Sequence, residues 1–256
     1  MIFETVIIFP APKYPAGDWQ PSGLRFEDVL FHSADGTRLH GWFFDQPQAR
    51  FHLLYCHGNA DFVPNLATYA DELRRRFGCS VFIFDYRGYG KSQGRPSEAG
   101  ILADGRAARQ WLCQRTGAAP DEIVLMGRSL GGAVAVDLAA NGGAGAVALE
   151  NTFTSIPDVA ARLFPLFPVR WLLRTQLNSL ATIGDYSGPL FISHGDADEI
   201  VSPEHGQRLY EAAAGPKQLF TIVGGRHNDP QPEDYFHELD AFLSRFTQHI
   251  AVFSQE

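Results

Sequence analysis

Near the middle of the chain lies the segment Ile123-Val124-Leu125-Met126-Gly127-Arg128-Ser129-Leu130-Gly131-Gly132. Its apolar first part predicts a buried strand, and residues 130–140 have the pattern of a helix. A strand, a tight turn and a helix therefore meet at Ser129, where Gly127 and Gly131 leave room around the turn. Such a turn exposes the serine hydroxyl above a sheet, and the helix N-terminus behind it favours developing negative charge. Ser129 is thus predicted to be a nucleophile.

Apolar segments of strand length alternate with helical patterns along the chain, which is typical of an α/β fold with a mainly parallel sheet. The predicted strands are 27–33, 38–45, 51–56, 81–85, 123–126, 144–149, 190–193 and 218–223. Asp35-Gly36 between the first two predicts a hairpin, so the sheet should begin antiparallel. Helices are predicted around Leu66 and over 97–116, 130–140, 203–214 and 232–249, with Ser202 as a cap.

The part of the chain between 151 and 184 contains no predicted strand, and its centre is aromatic, basic and interrupted by prolines. It is either a helical excursion packed on the core or a small lid that forms part of a substrate pocket, and both can hold. We predict a single domain over 1–256 with a lid insertion at about 151–184. The candidate substrate-binding residues of this lid, which suit an apolar acyl group, are Phe164, Phe167 and Trp171, with Leu166 and Leu172 beside them.

Three arginines of the lid, Arg162, Arg170 and Arg174, could meet an anionic group of a substrate. The simpler interpretation, which we favour, is that they are solvated surface charges.

Composition indicates a globular protein and restricts its partners. Of 256 residues, 45% are hydrophobic and 20% charged, which excludes extensive disorder, and the net charge of −8 argues against a nucleic-acid partner. No apolar run reaches the roughly 18–20 residues that span a bilayer, and the first ten residues lack the basic start of a secretory signal. Three cysteines without metal-ligand spacing, Cys56, Cys79 and Cys113, fit a reducing cytoplasm. We expect a cytoplasmic protein with no metal or organic cofactor.

A serine nucleophile needs a base that takes its proton. His227 lies in the glycine-rich loop Gly224-Gly225-Arg226-His227 after the last predicted strand, where ligand sites of open α/β sheets gather. A surface histidine in a loop is the alternative interpretation. His205 is expected at the surface, and His57 is expected to brace its own loop rather than to bind a metal.

The third group should be a carboxylate that accepts the other imidazole N–H. Asp196, Asp198 and Glu199 follow the strand 190–193, and Glu150 ends the strand before it. Spacing does not choose among them, and Asp196 could instead shape the turn. Each choice keeps the chain order serine, acid, histidine.

A tetrahedral intermediate also needs donors for its oxyanion. The N–H of Leu130, directly after the nucleophile, is one candidate. The loop His57-Gly58-Asn59-Ala60 should supply the other, through the N–H of Asn59 or alternatively of Ala60.

Together these motifs resemble the α/β-hydrolase superfamily, and they are most similar to the branch of serine-aminopeptidase-like hydrolases and α/β-hydrolase-domain proteins, some of which are protein depalmitoylases. The resemblance covers 27–246 and rests on Asp35-Gly36-Thr37, His57-Gly58-Asn59-Ala60, Asp85-Tyr86-Arg87-Gly88-Tyr89-Gly90, Gly127-Arg128-Ser129-Leu130-Gly131-Gly132, His194-Gly195-Asp196-Ala197-Asp198 and Gly225-Arg226-His227.

The resemblance implies an α/β-hydrolase fold: a mainly parallel eight-stranded sheet with helices on both faces and a short helical lid. Because the branch has His-Gly, two variable residues and then Asp, it implies Asp198 as the acid. It also implies a structural role for Asp85 and Arg87. The membrane anchor or cysteine cluster found near the N-terminus of many relatives does not occur in this sequence, so deacylation of membrane proteins is not expected.

The predicted function is a serine hydrolase that cleaves acyl esters or thioesters of small molecules through an acyl-enzyme, with contact to a membrane surface as a further hypothesis. One alternative is an aminopeptidase, which needs an acidic pocket for a free amine that the basic lid does not offer. Another is a catalytically silent binding protein, although such proteins usually lose the nucleophile or the base.

Overall fold

The computed structural model describes residues 8–164, 166, 168 and 172–247. Its strands are β1 (Glu27–His32), β2 (Arg38–Phe44), β3 (His52–Cys56), β4 (Ser80–Asp85), β5 (Ile123–Arg128), β6 (Ala146–Glu150), β7 (Leu190–Gly195) and β8 (Lys217–Ile222). They form one sheet in the order β1-β2-β4-β3-β5-β6-β7-β8. β2 pairs antiparallel with β1 and with β4, and all other neighbours are parallel. The predicted sheet, including its antiparallel start, is confirmed.

The helices of the described residues are α1 (Val63–Phe77), α2 (Glu98–Thr116), α3 (Leu130–Gly142), α4 (Ile156–Leu163), α5 (Ser179–Thr182), α6 (Pro203–Ala212) and α7 (Glu233–Phe246), with 3₁₀ turns at Pro120–Glu122 and Ile183–Asp185. Ser97 caps α2 by accepting a hydrogen bond from the N–H of Gly100. Ser202 is the N-cap residue of α6, as predicted, but its side chain makes no capping hydrogen bond. Within the described part of the chain, no helix combines the length and the apolar character needed to cross a membrane.

Alternation along the central strands gives the molecule two apolar layers. Successive side chains of a strand point to opposite faces, so Leu53 of β3 packs in one cluster and Leu54 in the other. Val124 and Leu125 of β5 divide in the same way. Helices α2 and α3 cover one face, and α1 and α7 cover the other. The nearly continuous apolar strands are therefore explained by burial on both faces.

The loop after β4 is held by a buried guanidinium. Arg87 forms a two-pronged ion pair with Asp104 of α2, with Nη2 2.8 Å from Oδ1, and its Nη1 lies 2.7 Å from Asp35 Oδ2 in the β1–β2 turn. Asp85 accepts a hydrogen bond from the N–H of Val63 at the start of α1. These contacts agree with the structural role that the resemblance implies.

The segment between β6 and β7 contains α4 and α5 and, in its described part, no strand. Its return toward the core is fixed by Glu98, whose carboxylate accepts the N–H groups of Gln176 and Leu177. Because β3, β5, β6, β7 and β8 run parallel, the loops after them all emerge at the same edge of the sheet.

Candidate active site

Ser129 occupies a tight turn between β5 and α3. Its backbone is left-handed, with φ 50° and ψ −114°, a conformation that costs energy for a residue with a side chain. The backbone passes so close to Gly127 and Gly131 that neither position has room for a side chain. A Cβ on Gly131 would collide with the carbonyl oxygen of Cys56, and a Cβ on Gly127 would collide with the carbonyl oxygen of Gly131. The turn at Ser129 is therefore possible only because the residues two positions before and after it are glycines.

The structure brings three of the predicted site residues into one hydrogen-bonded row. His227, in the loop after β8, has Nε2 3.1 Å from Ser129 Oγ. Its Nδ1 lies 2.7 Å from Asp198 Oδ2 in the loop after β7. With Nδ1–H donated to the carboxylate, the lone pair of Nε2 faces the serine hydroxyl.

Asp198 is buried and saturated with donors. Its Oδ1 accepts the N–H groups of Ile200 (2.9 Å) and Val201 (2.8 Å), and its Oδ2 lies 3.4 Å from His194 Nε2. Burial alone would raise the pKa of Asp198, but the hydrogen bonds with His194 and His227 outweigh it and hold this pKa well below its usual range. The carboxylate is therefore ionised at neutral pH.

The other candidate acids lie in different environments. Asp196 Oδ1 accepts the N–H of Gly224 at 2.6 Å, so this side chain joins the β7 and β8 loops. Glu199 is exposed to solvent.

Glu150 is fully buried in a ring of hydroxyl groups. Its Oε1 accepts Tyr69 (2.9 Å), Tyr235 (2.6 Å) and the Gln231 amide (2.9 Å), and its Oε2 accepts Tyr55 at 3.3 Å. All of these side chains hydrogen-bond to the carboxyl group, so its position at the end of β6 is fixed.

Arg128 was not among the predicted site residues, although it stands directly before the serine. Burial disfavours its charge, but Glu150 and other nearby groups more than offset this, so the pKa of Arg128 is raised. Its Nη2 donates to the carbonyl oxygens of His227 (2.6 Å) and Asp229 (3.3 Å). The guanidinium therefore ties the Ser129 turn to the loop of His227.

The loop predicted to supply an oxyanion donor lies against the serine. A Cβ placed on Gly58 would be 3.7 Å from Ser129 Cβ, so the loop passes within van der Waals contact. The Asn59 side chain is occupied elsewhere, since it accepts from the Tyr89 hydroxyl (2.8 Å) and donates to the Ile8 carbonyl. Asn59 and Leu130 both line the cavity beside Ser129, which is where the N–H donors to an oxyanion have to lie.

His57 and His205 are both buried. His57 Nδ1 lies 2.8 Å from the Gly58 carbonyl oxygen, and burial lowers the pKa of His57, as expected of a neutral brace. His205 is 7% exposed and its Nδ1 lies 2.8 Å from Thr154 Oγ1, so the prediction of a surface histidine is wrong. Across the described ranges, no three His, Cys, Asp or Glu side chains are grouped so that they could hold a metal ion.

A cavity of about 560 Å³ opens at Ser129. Its polar lining residues, other than those of the hydrogen-bonded row, are Asn59, Asp61, Asn65, Arg128 and Asn228. Its apolar lining residues include Phe153, Ile156, Val159, Ile200 and Val201. The cavity therefore offers both an apolar surface and a charged one next to the serine.

The predicted lid residues do not form this apolar surface as far as the structure describes them. Phe164 is 54% exposed and does not line the cavity, and Leu166 and Leu172 are exposed as well. Phe167 and Trp171 lie outside the described residues, as does Arg170. Arg162 lies 3.5 Å from Glu204 on the surface, which agrees with a solvated charge.

Comparison with known proteins connects this geometry to a family. Residues 47–177 match the family model described as Serine aminopeptidase, S33. The chain belongs to this family of α/β-hydrolases. It is 39% identical over 254 residues to the uncharacterized protein Rv2307c of Mycobacterium tuberculosis, covering 98% of this chain and 89% of that one.

Two further likenesses agree with this membership. The α/β-hydrolase domain-containing protein WAV2 of Arabidopsis thaliana is 35% identical over 226 residues, which cover 80% of this chain and 73% of WAV2. The esterase Pf2001 of Pyrococcus furiosus superposes with a TM-score of 0.74 at 22% identity, covering 93% of this chain and 99% of the esterase. Family and fold thus make the chain a hydrolase.

Proposed function

We propose that this α/β-hydrolase is a serine esterase or thioesterase in which Ser129, His227 and Asp198 act as a catalytic triad. The observation that carries the proposal is the continuous row from Ser129 Oγ to His227 Nε2 (3.1 Å) and from His227 Nδ1 to Asp198 (2.7 Å). A serine hydroxyl is a weak nucleophile at neutral pH, and this row supplies the base and the group that orients it.

In the first half of the reaction, His227 takes the proton of Ser129 while Oγ attacks the carbonyl carbon of the acyl substrate. The ionised Asp198 stabilises the imidazolium that results. The N–H groups of Leu130 and Asn59 donate to the oxyanion, and the N-terminus of α3 adds a favourable dipole. When the intermediate collapses, His227 returns the proton to the leaving alcohol or thiol, and the acyl group remains on Ser129.

In the second half, water replaces the leaving group. His227 removes a proton from this water, the resulting hydroxide attacks the acyl carbon, and the proton returns to Ser129 as the carboxylic acid leaves. Apart from the substrate and this water, the proposed route uses side chains and backbone amides of the chain.

The apolar lining of the cavity, from Phe153 to Val201, supports an acyl group of small-molecule size as the substrate. The structurally similar Pf2001 is named an esterase, which also supports ester cleavage.

Labelling with a fluorophosphonate and hydrolysis of nitrophenyl and thioester substrates of graded chain length test the proposal. We expect wild type and Ser187→Ala, which changes an exposed serine, to be labelled and active, and Ser129→Ala to be neither. Labelling that persists in Ser129→Ala would remove Ser129 from the mechanism. Absence of labelling in wild type would favour a catalytically silent binding protein.

An aminopeptidase is the second candidate, and one observation favours it. Asp61 lines the cavity, so its wall contains a carboxylate that could bind a free amine. The family description is also that of an aminopeptidase. Cleavage of aminoacyl nitroanilides that is lost in Asp61→Asn, while nitrophenyl ester cleavage persists, would establish this activity; ester cleavage alone would exclude it.

We further propose a cytoplasmic location, because Cys56 and Cys79 are buried free thiols that suit a reducing compartment. Contact of the exposed Phe164, Leu166 and Leu172 with a membrane surface is the remaining proposal about partners. Failure of the protein to sediment with liposomes would exclude it.

A further inference from the structure

The turn after β6 contacts the loops of all three proposed triad members. Asn151, its central residue, is 2% exposed and has a left-handed backbone with φ 45°. Asparagine is one of the few residues with a side chain that tolerate this conformation. The positive φ at this position therefore restricts which residue types can occupy it, and asparagine also places an amide in a buried site.

The Asn151 amide joins the acid loop to the base loop. Its Oδ1 accepts the N–H of Gly195 at 3.0 Å, three residues before Asp198. Its Nδ2 donates to the carbonyl oxygen of His227 at 3.1 Å. The Asn151 amide thus accepts a hydrogen bond from the loop of Asp198 and donates one to the loop of His227.

The residues on either side of Asn151 hold the nucleophile. The carbonyl oxygen of Glu150 accepts the N–H of Ser129 at 2.9 Å, and Thr152 Oγ1 donates to the carbonyl oxygen of Ser129 at 2.7 Å. Glu150 and Thr152 therefore hold the backbone of Ser129, and the Asn151 amide between them holds the loops of His227 and Asp198.

The His227 carbonyl has a second donor, Arg128 Nη2, at 2.6 Å. This bond fixes the base relative to the nucleophile turn but does not reach the acid loop. The Asn151 amide connects His227 to the loop of Asp198 by hydrogen bonds to the backbone of both. The Asp196–Gly224 and Ala197–Gly225 hydrogen bonds join the same two loops farther from the serine turn.

We propose that Asn151 is a positioning residue that sets the separation of Ser129, His227 and Asp198. The inference rests on the proposed function of these three residues. Misplacement of a reacting group by about 1 Å costs on the order of 100-fold in rate, so loss of one shared tether has a measurable effect on turnover.

Two substitutions separate the amide from the backbone. Asn151→Gly keeps a residue that accepts positive φ and removes every hydrogen bond of the amide, whereas Asn151→Asp keeps the acceptor for Gly195 and loses the donor to His227 and Arg226. Gln48→Gly is the matched control, since Gln48 is an exposed residue with φ 54°. We expect kcat for a nitrophenyl ester to fall by about 10- to 100-fold in both Asn151 variants, with KM changed less than about threefold. The control should match wild type.

A His227→Ala background distinguishes positioning from general support of the fold. Without the imidazole its placement no longer matters, so Asn151→Gly should change the residual hydrolysis by less than about twofold. An equal loss of kcat in both backgrounds would show a merely structural residue and overturn the inference.

Ser129→Ala separates failure of the inference from failure of the proposed function. If Ser129→Ala loses hydrolysis while Asn151→Gly stays within about twofold of wild type, positioning alone is refuted. If Ser129→Ala keeps wild-type hydrolysis, the proposed function is refuted and the inference with it.

Discussion

Asp196 and Asp198 stand two positions apart in one acidic loop, yet they face different parts of the molecule. The loop turns between them, so Asp196 meets the backbone of Gly224 and Asp198 meets the imidazole of His227. Both side chains accept hydrogen bonds, and their residue types are identical. Spacing could not separate them, because the turn that does so depends on contacts with β8 that are remote in sequence.

Asp198→Asn tests this difference at the level of one atom. An amide in place of the carboxylate cannot stabilise the imidazolium and favours the wrong tautomer of His227, so kcat should fall by about 10⁴-fold. Steady-state hydrolysis of a nitrophenyl ester measures it.

Asp196→Asn is the matched control for Asp198→Asn and should keep kcat within about tenfold of wild type, because its amide oxygen still accepts the N–H of Gly224 and the side chain does not touch His227. Full activity of Asp198→Asn together with loss of activity in Glu150→Gln would instead make Glu150 the acid.

Helix α4, rather than the aromatic run that follows it, supplies apolar side chains to the cavity. Ile156 and Val159 of α4 lie three residues apart, on one side of the helix, and Phe153 lies just before its N-cap, Ser155. That signal was present in the sequence. The aromatic composition of the run that begins at Phe164 led to its prediction as the substrate-binding part. Composition does not show which side of a segment faces the serine.

Val159→Phe tests which part of the chain limits the acyl group. The larger side chain fills part of the cavity, so the preferred nitrophenyl ester should become shorter, with kcat/KM for long chains falling about 10-fold or more. Phe164→Ala changes an exposed ring outside the cavity and should leave the chain-length profile unchanged. A profile that shifts in Phe164→Ala and not in Val159→Phe would contradict this assignment.

The close packing of the turn at Ser129 leads to a prediction about stability. In Gly131→Ala the new methyl group meets the carbonyl oxygen of Cys56, which cannot move without breaking β3, so unfolding should become easier by at least about 1–3 kcal/mol. Gly184→Ala, whose Cβ would lie 3.5 Å from the nearest atom, is the control. Urea denaturation compares them, and equal midpoints would show that the turn can relax.

Over the whole molecule, the sheet was predictable and the polar interior was not. All eight strands begin and end within two residues of the predicted bounds, because apolar runs and the Asp35-Gly36 turn are local signals. The ring of tyrosines around Glu150 joins four elements, and Arg50 pairs with Asp240, 190 positions away in the sequence. Such pairs leave no periodic pattern in a single sequence. The same reason explains why His205 was expected at the surface.

His205 gives the fold a sensitivity to acid. Burial lowers the pKa of His205, with Asp158 acting in the opposite direction, and Nδ1 already accepts the N–H of Thr154 at 3.3 Å. Below the unfolded pKa of about 6.5, the unfolded chain takes up a proton that the folded chain resists, so stability falls as the pH falls. His205→Gln should lose up to about 1 kcal/mol less stability than wild type between pH 7.5 and 5.5.

Thermal unfolding at both pH values measures this difference, with His237→Gln, on α7, as the control for loss of a histidine elsewhere. Equal slopes for wild type and His205→Gln would place the acid sensitivity in other groups.

The left-handed backbone of Ser129 implies that the proposed catalytic role of this residue lowers the stability of the fold. A strained residue of this kind costs about 1–3 kcal/mol, and glycine would carry no such penalty. Ser129→Gly should therefore melt at a higher temperature than Ser129→Ala, which keeps a Cβ, and under the proposed mechanism we expect neither variant to turn over substrate. If so, an inactive version of this molecule would outlast the active one on heating, and selection for activity alone would explain why the weaker of the two is encoded.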